Sequence, residues 1–224
     1  ALVGGGSGMA RPGAISRSHR GVLFLDECAE IGVSVLEALR TPLEEGKIRL
    51  ARRDGVACYP ARFQLVLAAN PCPCAPPNPR DCVCPSADRR RYLGKLSGPL
   101  MDRVDLRVDM HPVLAGAFGD DTAESTSDVR ARVAAARAAA VERWHEVGVR
   151  TNAEVPGPVL RRRFRLSRDA MAPLRKSLDS GRLSIRGVDR TLRVAWSLAD
   201  LAGRDSPNLD DVSTALSFRE GDAR

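Results

Sequence analysis

Short apolar runs separated by polar turns fill the first part of the chain, and helical periodicity takes over beyond Ser125. Val22, Leu23, Phe24 and Leu25 are consecutive and apolar, the pattern of a strand buried on both faces in a parallel sheet. Val33, Leu36, Leu39 and Leu43 recur at helical spacing, and Pro42 marks that helix's last turn or a kink. Ile48–Leu50 and Val56–Cys58 are strand-like runs joined through Asp54-Gly55, a strong hairpin signal. Phe63–Ala69 predicts another strand, ending at Asn70, and Pro71–Pro85 reads as a proline-rich loop. Val104–Met110 alternates and predicts a third core strand.

A break follows at 116–122. Val129, Val133, Ala136, Ala140 and Trp144 then predict a long amphipathic helix, with Ser125 or Ser127 as its cap. Residues 151–224 read as all-helical. One stripe is Val188, Leu192, Ala195 and Ala199, and a shorter helix follows Asp210. The expected fold class is α/β, a partial parallel-sheet core over 1–122 followed by a helical linker and all-helical domain over 123–224.

Composition narrows this picture in three ways. Apolar residues are 43% of the chain but aromatics only 4%, so aliphatic side chains and alanine must fill the core. The net charge of +7 makes an anionic partner plausible, and an arginine-rich composition alone would also produce it. No stretch approaches the roughly 18–20 apolar residues of a membrane span, so no membrane partner is expected. Four of the six cysteines crowd between Cys72 and Cys84, which reads as metal ligation or reduced thiols rather than a secreted disulfide framework.

The most informative chemistry is Asp26-Glu27, a carboxylate pair closing the first apolar strand. Open α/β sheets bind ligands at that carboxyl edge. There Asp26 can hold Mg²⁺, directly or through water, while Glu27 polarises an attacking water, the layout of nucleotide hydrolysis. The matching phosphate loop, G-x-x-x-x-G-K-[ST], does not occur, and Gly4-Gly5-Gly6-Ser7-Gly8 lacks the lysine. The chain also starts in mid-pattern at Ala1, so a front segment carrying that loop is expected upstream in the complete protein.

An ordered series of motifs carries a family resemblance. It runs through Arg11-Pro12-Gly13-Ala14-Ile15-Ser16, Gly21–Glu27 and Leu36-Glu37-Ala38-Leu39-Arg40. It continues through Asn70-Pro71-Cys72-Pro73-Cys74, Arg91-Tyr92-Leu93 and Ser97-Gly98-Pro99-Leu100-Met101-Asp102-Arg103-Val104-Asp105-Leu106. Together these closely resemble the magnesium-chelatase-like AAA+ ATPases of the ComM/YifB group, and Leu183-Ser184-Ile185-Arg186-Gly187 with Asp189–Leu201 resembles that group's C-terminal lid.

The resemblance implies ATP and magnesium as cofactors. It makes Asp26 and Glu27 the Walker B pair and Asn70 the sensor 1 amide. It makes Arg103 an arginine finger reaching a neighbouring subunit's nucleotide, and Arg186 the lid's sensor 2, with Arg190 and Arg193 as alternatives. The finger implies a homo-oligomeric ring, a hexamer by analogy. Two absences depart from the family pattern, the Walker A lysine and the family's Lon-protease-like N-terminal segment. The 224-residue chain by itself is therefore expected to bind ATP poorly and, lacking a central strand, to be poorly soluble.

Two further constellations complete the expectation. Cys72, Cys74, Cys82 and Cys84 suit a structural Zn–S₄ site or a set of redox-labile thiols, and C-x-C is tighter than the usual chelating spacing. The family also tends to carry them. Cys28 and Cys58 read as packing residues. Lys47, Arg49, Arg52 and Arg53 decorate the hairpin. That element points into the central pore in related ring ATPases, so these cations either grip DNA phosphates or form a solvated turn. Arg161–Arg165 reads as a solvated face or a subunit contact. The function expected is an ATP-driven cytoplasmic ring motor acting on DNA, such as branch migration in recombination or DNA uptake. The alternatives are a chelatase-type ATPase that remodels a partner enzyme for metal insertion, and a non-catalytic assembly module.

Overall fold

The computed structural model describes residues 2–6, 10–52, 55–78, 81–110 and 124–220, with only the backbone at Arg52. The chain divides into two compact units, Ala1–Val104 and Asp105–Arg224. The 116–122 break and the hairpin turn residues Arg53 and Asp54 lie outside the described residues.

The first unit opens with β1 (Gly4–Gly5) and β2 (Arg11–Pro12), a short antiparallel ladder, and α1 (Ala14–Arg17). β3 (Val22–Leu25) follows, then α2 (Val33–Glu37) and α3 (Arg40–Glu45). The helix expected over 33–43 is thus two helices broken at Ala38-Leu39. Pro42 is the third residue of α3, where its missing N–H falls among donors that a helix leaves unsatisfied anyway. Gly46 ends α3 in the left-handed region at φ +66, its N–H bonded to the Pro42 carbonyl at 2.9 Å.

β4 (Lys47–Arg52) and β5 (Gly55–Pro60) form the expected antiparallel hairpin. β6 (Gln64–Leu67) then pairs in parallel with β3, Val22 opposite Gln64 and Leu25 opposite Leu67. α4 (Ser86–Leu93) and α5 (Gly98–Met101) close the unit. Its core gathers Ile15, Leu23, Leu36, Leu39, Ile48, Ala61 and Leu100.

Only one face of the parallel pair meets that core. Leu23 is buried, whereas Val22 and Phe24 on the opposite face are 61% and 56% exposed, with Val66 beside them at 39%. The expectation of two-sided burial is corrected accordingly, because among the described residues no layer covers this face. Uncovered parallel sheet is unusual in α/β proteins. The 224-residue chain expressed alone is expected to associate through this face. A monodisperse monomer with a sharp, cooperative melting transition would argue against that.

The expected strand over 104–110 is absent too. Leu106, Val108 and Met110 are exposed, and no ladder forms there. Instead the Arg107 N–H donates to the Phe218 carbonyl at 2.7 Å. An alternating pattern makes a strand only where a sheet edge is available to pair with it.

The second unit is helical, as expected. α6 (Thr126–Trp144) starts at Ser125, whose hydroxyl accepts the Asp128 N–H at 3.2 Å. α7 (Gly157–Arg162), α8 (Ala172–Asp179), α9 (Ile185–Leu201) and α10 (Leu209–Glu220) follow. Val188, Leu192, Ala195 and Ala199 form the buried stripe of α9. Trp144 packs edge-on against Phe164 and Trp196, ring centroids 4.6 and 5.5 Å away. The Arg143 guanidinium lies 4.3 Å from the Trp196 ring and pairs with buried Asp200, which also accepts from Asn152 Nδ2 at 2.8 Å. Among the described residues no helix is long and apolar enough to cross a membrane.

Candidate functional site

Parallel pairing brings the carboxyl ends of β3 and β6 to the same edge. Asp26 follows Leu25 directly, and Asn70 lies three residues beyond Leu67. Two backbone bonds stitch these ends together. The Ala68 N–H donates to the Leu25 carbonyl at 3.0 Å, and the Cys28 N–H donates to the Ala68 carbonyl at 2.9 Å. Asp26 and Glu27 are exposed and Asn70 is half-buried. The structure therefore gathers three of the sequence-derived residues on one rim, where the sheet edge opens to a ligand.

Glu27 carries the local strain. It sits in the left-handed region at φ +47, which costs a non-glycine residue about 1–2 kcal/mol. Its N–H donates to Asp26 Oδ1 at 2.9 Å, and its carbonyl accepts the Glu30 N–H at 2.7 Å. The short 3₁₀ turn Cys28–Glu30 follows, with Cys28 and Ala29 fully buried beneath it. Burial pushes the Cys28 thiol up, which keeps it neutral there.

Arg103 follows α5, whose cap is Ser97; the Ser97 hydroxyl accepts the Leu100 N–H at 3.3 Å. The Arg103 side chain is only 8% exposed. Its guanidinium contacts Glu44 at 2.8 Å and donates to the Pro99 carbonyl at 2.6 Å. Glu37 lies in the same acidic neighbourhood. The Ser97 hydroxyl first, and the Arg40 guanidinium 2.6 Å away second, hold its carboxyl below the usual range. Glu44 belongs to α3, so this ion pair joins two elements distant in sequence. No motif in the chain marks that pairing.

In the helical unit, Arg186 is exposed in the first turn of α9. Its two alternatives are engaged elsewhere. Arg190 contacts Asp105 at 2.6 Å, and Arg193 donates twice to the Val155 carbonyl at 3.0 and 2.8 Å. Burial, and next the neighbouring Arg190, lower the Arg193 pKa. Of the three arginines, Arg186 is the one presented to solvent.

On the hairpin, strand alternation puts Lys47 and Arg49 on one face, opposite Pro60 and Cys58. Arg49 pairs with Glu45 at 2.8 Å, an exposed contact of little energetic weight. Arg53 lies outside the described residues and only the backbone of Arg52 is described.

The cysteine loop has the most definite geometry. The sulfurs of Cys72 and Cys74 are 3.4 Å apart, Cys74 and Cys82 3.7 Å, and Cys82 and Cys72 3.4 Å. All four sulfurs, Cys84 included, lie within 4.8 Å of one another. A disulfide needs about 2.05 Å. A tetrahedron with Zn–S bonds of about 2.3 Å has edges of about 3.8 Å. The spacing fits a tetrahedral four-thiolate cage, and the tight C-x-C pairs do not prevent the four sulfurs from converging. Backbone N–H donation from Cys84, followed by the Cys72 thiol, lowers the Cys82 pKa to about 7, supplying a ready thiolate. Burial raises Cys72, and the Cys84 side chain raises Cys74.

Tyr92 on α4 is a residue that sequence reasoning quoted only as part of a motif. It is 4% exposed, and burial followed by the Glu30 carboxylate pushes its phenol up. The Lys95 ammonium lies 5.3 Å from its ring and 3.6 Å from Glu30.

A parallel strand pair ending in an acidic dyad and a polar amide defines an α/β class of unit, here followed in the chain by a helical one. Comparison with known proteins makes the class specific. The family model for magnesium chelatase, subunit ChlI, matches residues 1–117, and that for the subunit ChlI C-terminal region matches 123–219. The chain belongs to the magnesium chelatase ChlI family.

Among its relatives is an uncharacterized Mycobacterium tuberculosis protein, Rv2897c, 75% identical over all 224 residues, which cover 44% of that protein. The uncharacterized protein YifB of Escherichia coli is 38% identical over 98% of the chain and 43% of its own length. The competence protein ComM of Haemophilus influenzae is 36% identical over 98% of the chain and 42% of its own length. The chain thus spans less than half the length of these curated relatives.

Proposed function

We propose that the chain is part of an AAA+ ATPase that hydrolyses ATP in a homo-oligomeric ring, a hexamer, and drives movement on DNA. The observation that carries this reading is the shared rim of Asp26, Glu27 and Asn70, in a chain whose two regions match the two ChlI family models. Asp26 holds the magnesium of MgATP, Glu27 polarises the attacking water, and Asn70 orients that water or the γ-phosphate. Arg103 completes the neighbouring subunit's site, and Arg186 serves the lid. Residues 1–122 form the ATPase core, and 123–224 the linker and lid.

Similarity to a competence protein favours DNA as the track, with Lys47, Arg49, Arg52 and Arg53 as the cations that follow its phosphates. The cysteine cage is read as a structural zinc site. Its free-thiol chemistry suits a reducing cytoplasm. The family's description keeps a second reading in view, an ATPase that remodels a partner for metal insertion.

The test is ATP hydrolysis by the full-length protein with and without branched DNA, beside an Arg52→Glu/Arg53→Glu variant. DNA is expected to stimulate turnover, and the double variant to lose that stimulation while keeping basal hydrolysis. Turnover indifferent to DNA would move the function to the remodelling class. Stimulation surviving in the double variant would remove the hairpin from the DNA path.

A further inference from the structure

We infer that the metal held by Cys72, Cys74, Cys82 and Cys84 acts as a strut for the hydrolytic turn. Its occupancy then sets the position of Glu27 and Asn70 and hence the rate of ATP cleavage. The inference rests on the zinc and ATPase readings above and adds a control function to the cage.

The cage sits between two parts of the site. Cys72 is two residues past Asn70, and Cys84 is two residues before α4 begins. Binding one ion by all four sulfurs therefore fixes the exit of the Asn70 rim relative to α4. α4 in turn packs on the 3₁₀ turn Cys28–Glu30, with Tyr92 buried and Lys95 reaching Glu30 at 3.6 Å. That turn is the C-terminal anchor of Glu27. The Glu30 N–H holds the Glu27 carbonyl, and the Cys28 N–H ties the turn to Ala68. Each link is a direct contact or a few bonds of chain, and the path begins and ends on the same rim.

Beyond the cage, the described residues of the loop show two short backbone turns, the Ala75 N–H on the Cys72 carbonyl at 3.3 Å and the Asp81 N–H on the Asn78 carbonyl at 3.0 Å. Among the described residues from Pro71 to Pro85, Cys72 alone is buried, and Val83 is 86% exposed. With Cys72 the one buried side chain among its described residues, such a proline-rich segment offsets little of its own ordering entropy, and metal ligation would supply that free energy. At the far end, Glu27 occupies a strained left-handed conformation that persists only while its surroundings over-determine it. Loss of the ion frees α4, the 3₁₀ turn loses its cover, and Glu27 relaxes out of line. A misplacement of about 1 Å at a reacting group costs about 10²-fold in rate.

The experiment uses the full-length protein purified under reducing conditions. Elemental analysis is expected to find one zinc per subunit, and Co²⁺ in its place should give the absorption of a tetrahedral thiolate site. Stripping the ion with a thiol-reactive mercurial and a chelator, or substituting exposed Cys74→Ser, should lower kcat on the order of 10²-fold. The Kd for a non-hydrolysable ATP analogue should stay within about threefold, because a differential loss is confined to the reacting groups. Zinc and reductant restore turnover to the stripped protein. Amide exchange at Cys28 and Glu30 should accelerate on stripping, a readout independent of hydrolysis.

The failures separate. Absence of bound metal overturns the zinc reading itself. Bound zinc whose removal changes neither kcat nor exchange at Cys28 and Glu30 overturns the strut and leaves the zinc site standing. Equal loss of nucleotide binding, kcat and global fold would make the ion a general fold determinant and overturn the specific coupling. A zinc-loaded protein that never hydrolyses ATP, yet shows the exchange response, keeps the strut and overturns the ATPase.

Discussion

Arg103→Ala in the full-length protein is expected to abolish ATP turnover, lowering kcat by about 10³-fold or more, the scale on which a transferred phosphoryl group depends on an arginine finger. Arg103→Lys should fail to restore it, because an ammonium lacks the fork that spreads donors over several phosphate oxygens. Stability should fall as well, because the Arg103 side chain is only 8% exposed and its removal strips both Glu44 and the Pro99 carbonyl of a partner, so turnover is compared at matched folded fraction.

The decisive measurement is subunit mixing. Arg103→Ala protomers keep an intact Glu27, and Glu27→Gln protomers keep an intact Arg103. If the arginine acts on a neighbour's nucleotide, mixed rings recover activity at interfaces that join the two intact halves. If Arg103 merely props α5 against Glu44, each variant remains inactive or active on its own terms and mixing changes nothing. The pairing with Glu44 and the Pro99 carbonyl also means that the guanidinium must leave an occupied position to reach another subunit. Exchanging one set of oxygen acceptors for phosphate oxygens is a small electrostatic change, which suits a group that engages only once nucleotide is present.

Elements whose identity depends on local pattern were legible in the sequence, and those that depend on a partner were not. β3, β6 and the β4–β5 hairpin lie where apolar runs and turn residues placed them, and α9 buries the stripe its periodicity announced. The cap was legible as Ser125 or Ser127, and the structure selects Ser125, whose oxygen satisfies an N–H three residues away. By contrast, Val104–Met110 had the alternation of a strand but pairs with no ladder among the described residues. Val22 and Phe24 had the composition of two-sided burial, but among the described residues no layer covers them. In the candidate site, Asp26, Glu27 and Asn70 could be placed at one sheet edge because each follows an apolar run that forms a strand. The cysteines were legible by crowding alone, but whether two C-x-C pairs could close on one point was a question of loop geometry. Glu44 gave no signal, and Tyr92 entered only within the Arg91-Tyr92-Leu93 motif. Each acts through a contact far away in sequence, and a single chain without that contact cannot distinguish them from an ordinary helix-surface glutamate or core tyrosine.

Glu27→Gln is the second large effect, expected to lower kcat by about 10²–10⁴-fold, the range associated with losing a positioned general base. The geometry makes this substitution clean. Glutamine is isosteric with glutamate and retains the backbone N–H that donates to Asp26 and the carbonyl that accepts from Glu30, so the turn should keep its shape. Nucleotide affinity should survive, because the role proposed for Glu27 is to polarise water rather than to hold magnesium. Asp26→Asn should do the reverse and weaken the affinity for MgATP. Equilibrium binding of a fluorescent ATP analogue, set beside single-turnover hydrolysis, separates the two roles. A Glu27→Gln protein that turns over at the wild-type rate would remove Glu27 from the chemistry.

Glu27→Gly adds a test that composition alone could not suggest. Glycine adopts φ +47 without penalty, so this variant should be more stable by up to about 1 kcal/mol. It should nevertheless be as inactive as Glu27→Gln. A residue that strains the backbone in order to present a carboxylate at a sheet edge exchanges stability for position, and the two measurements on one variant show both sides of that exchange.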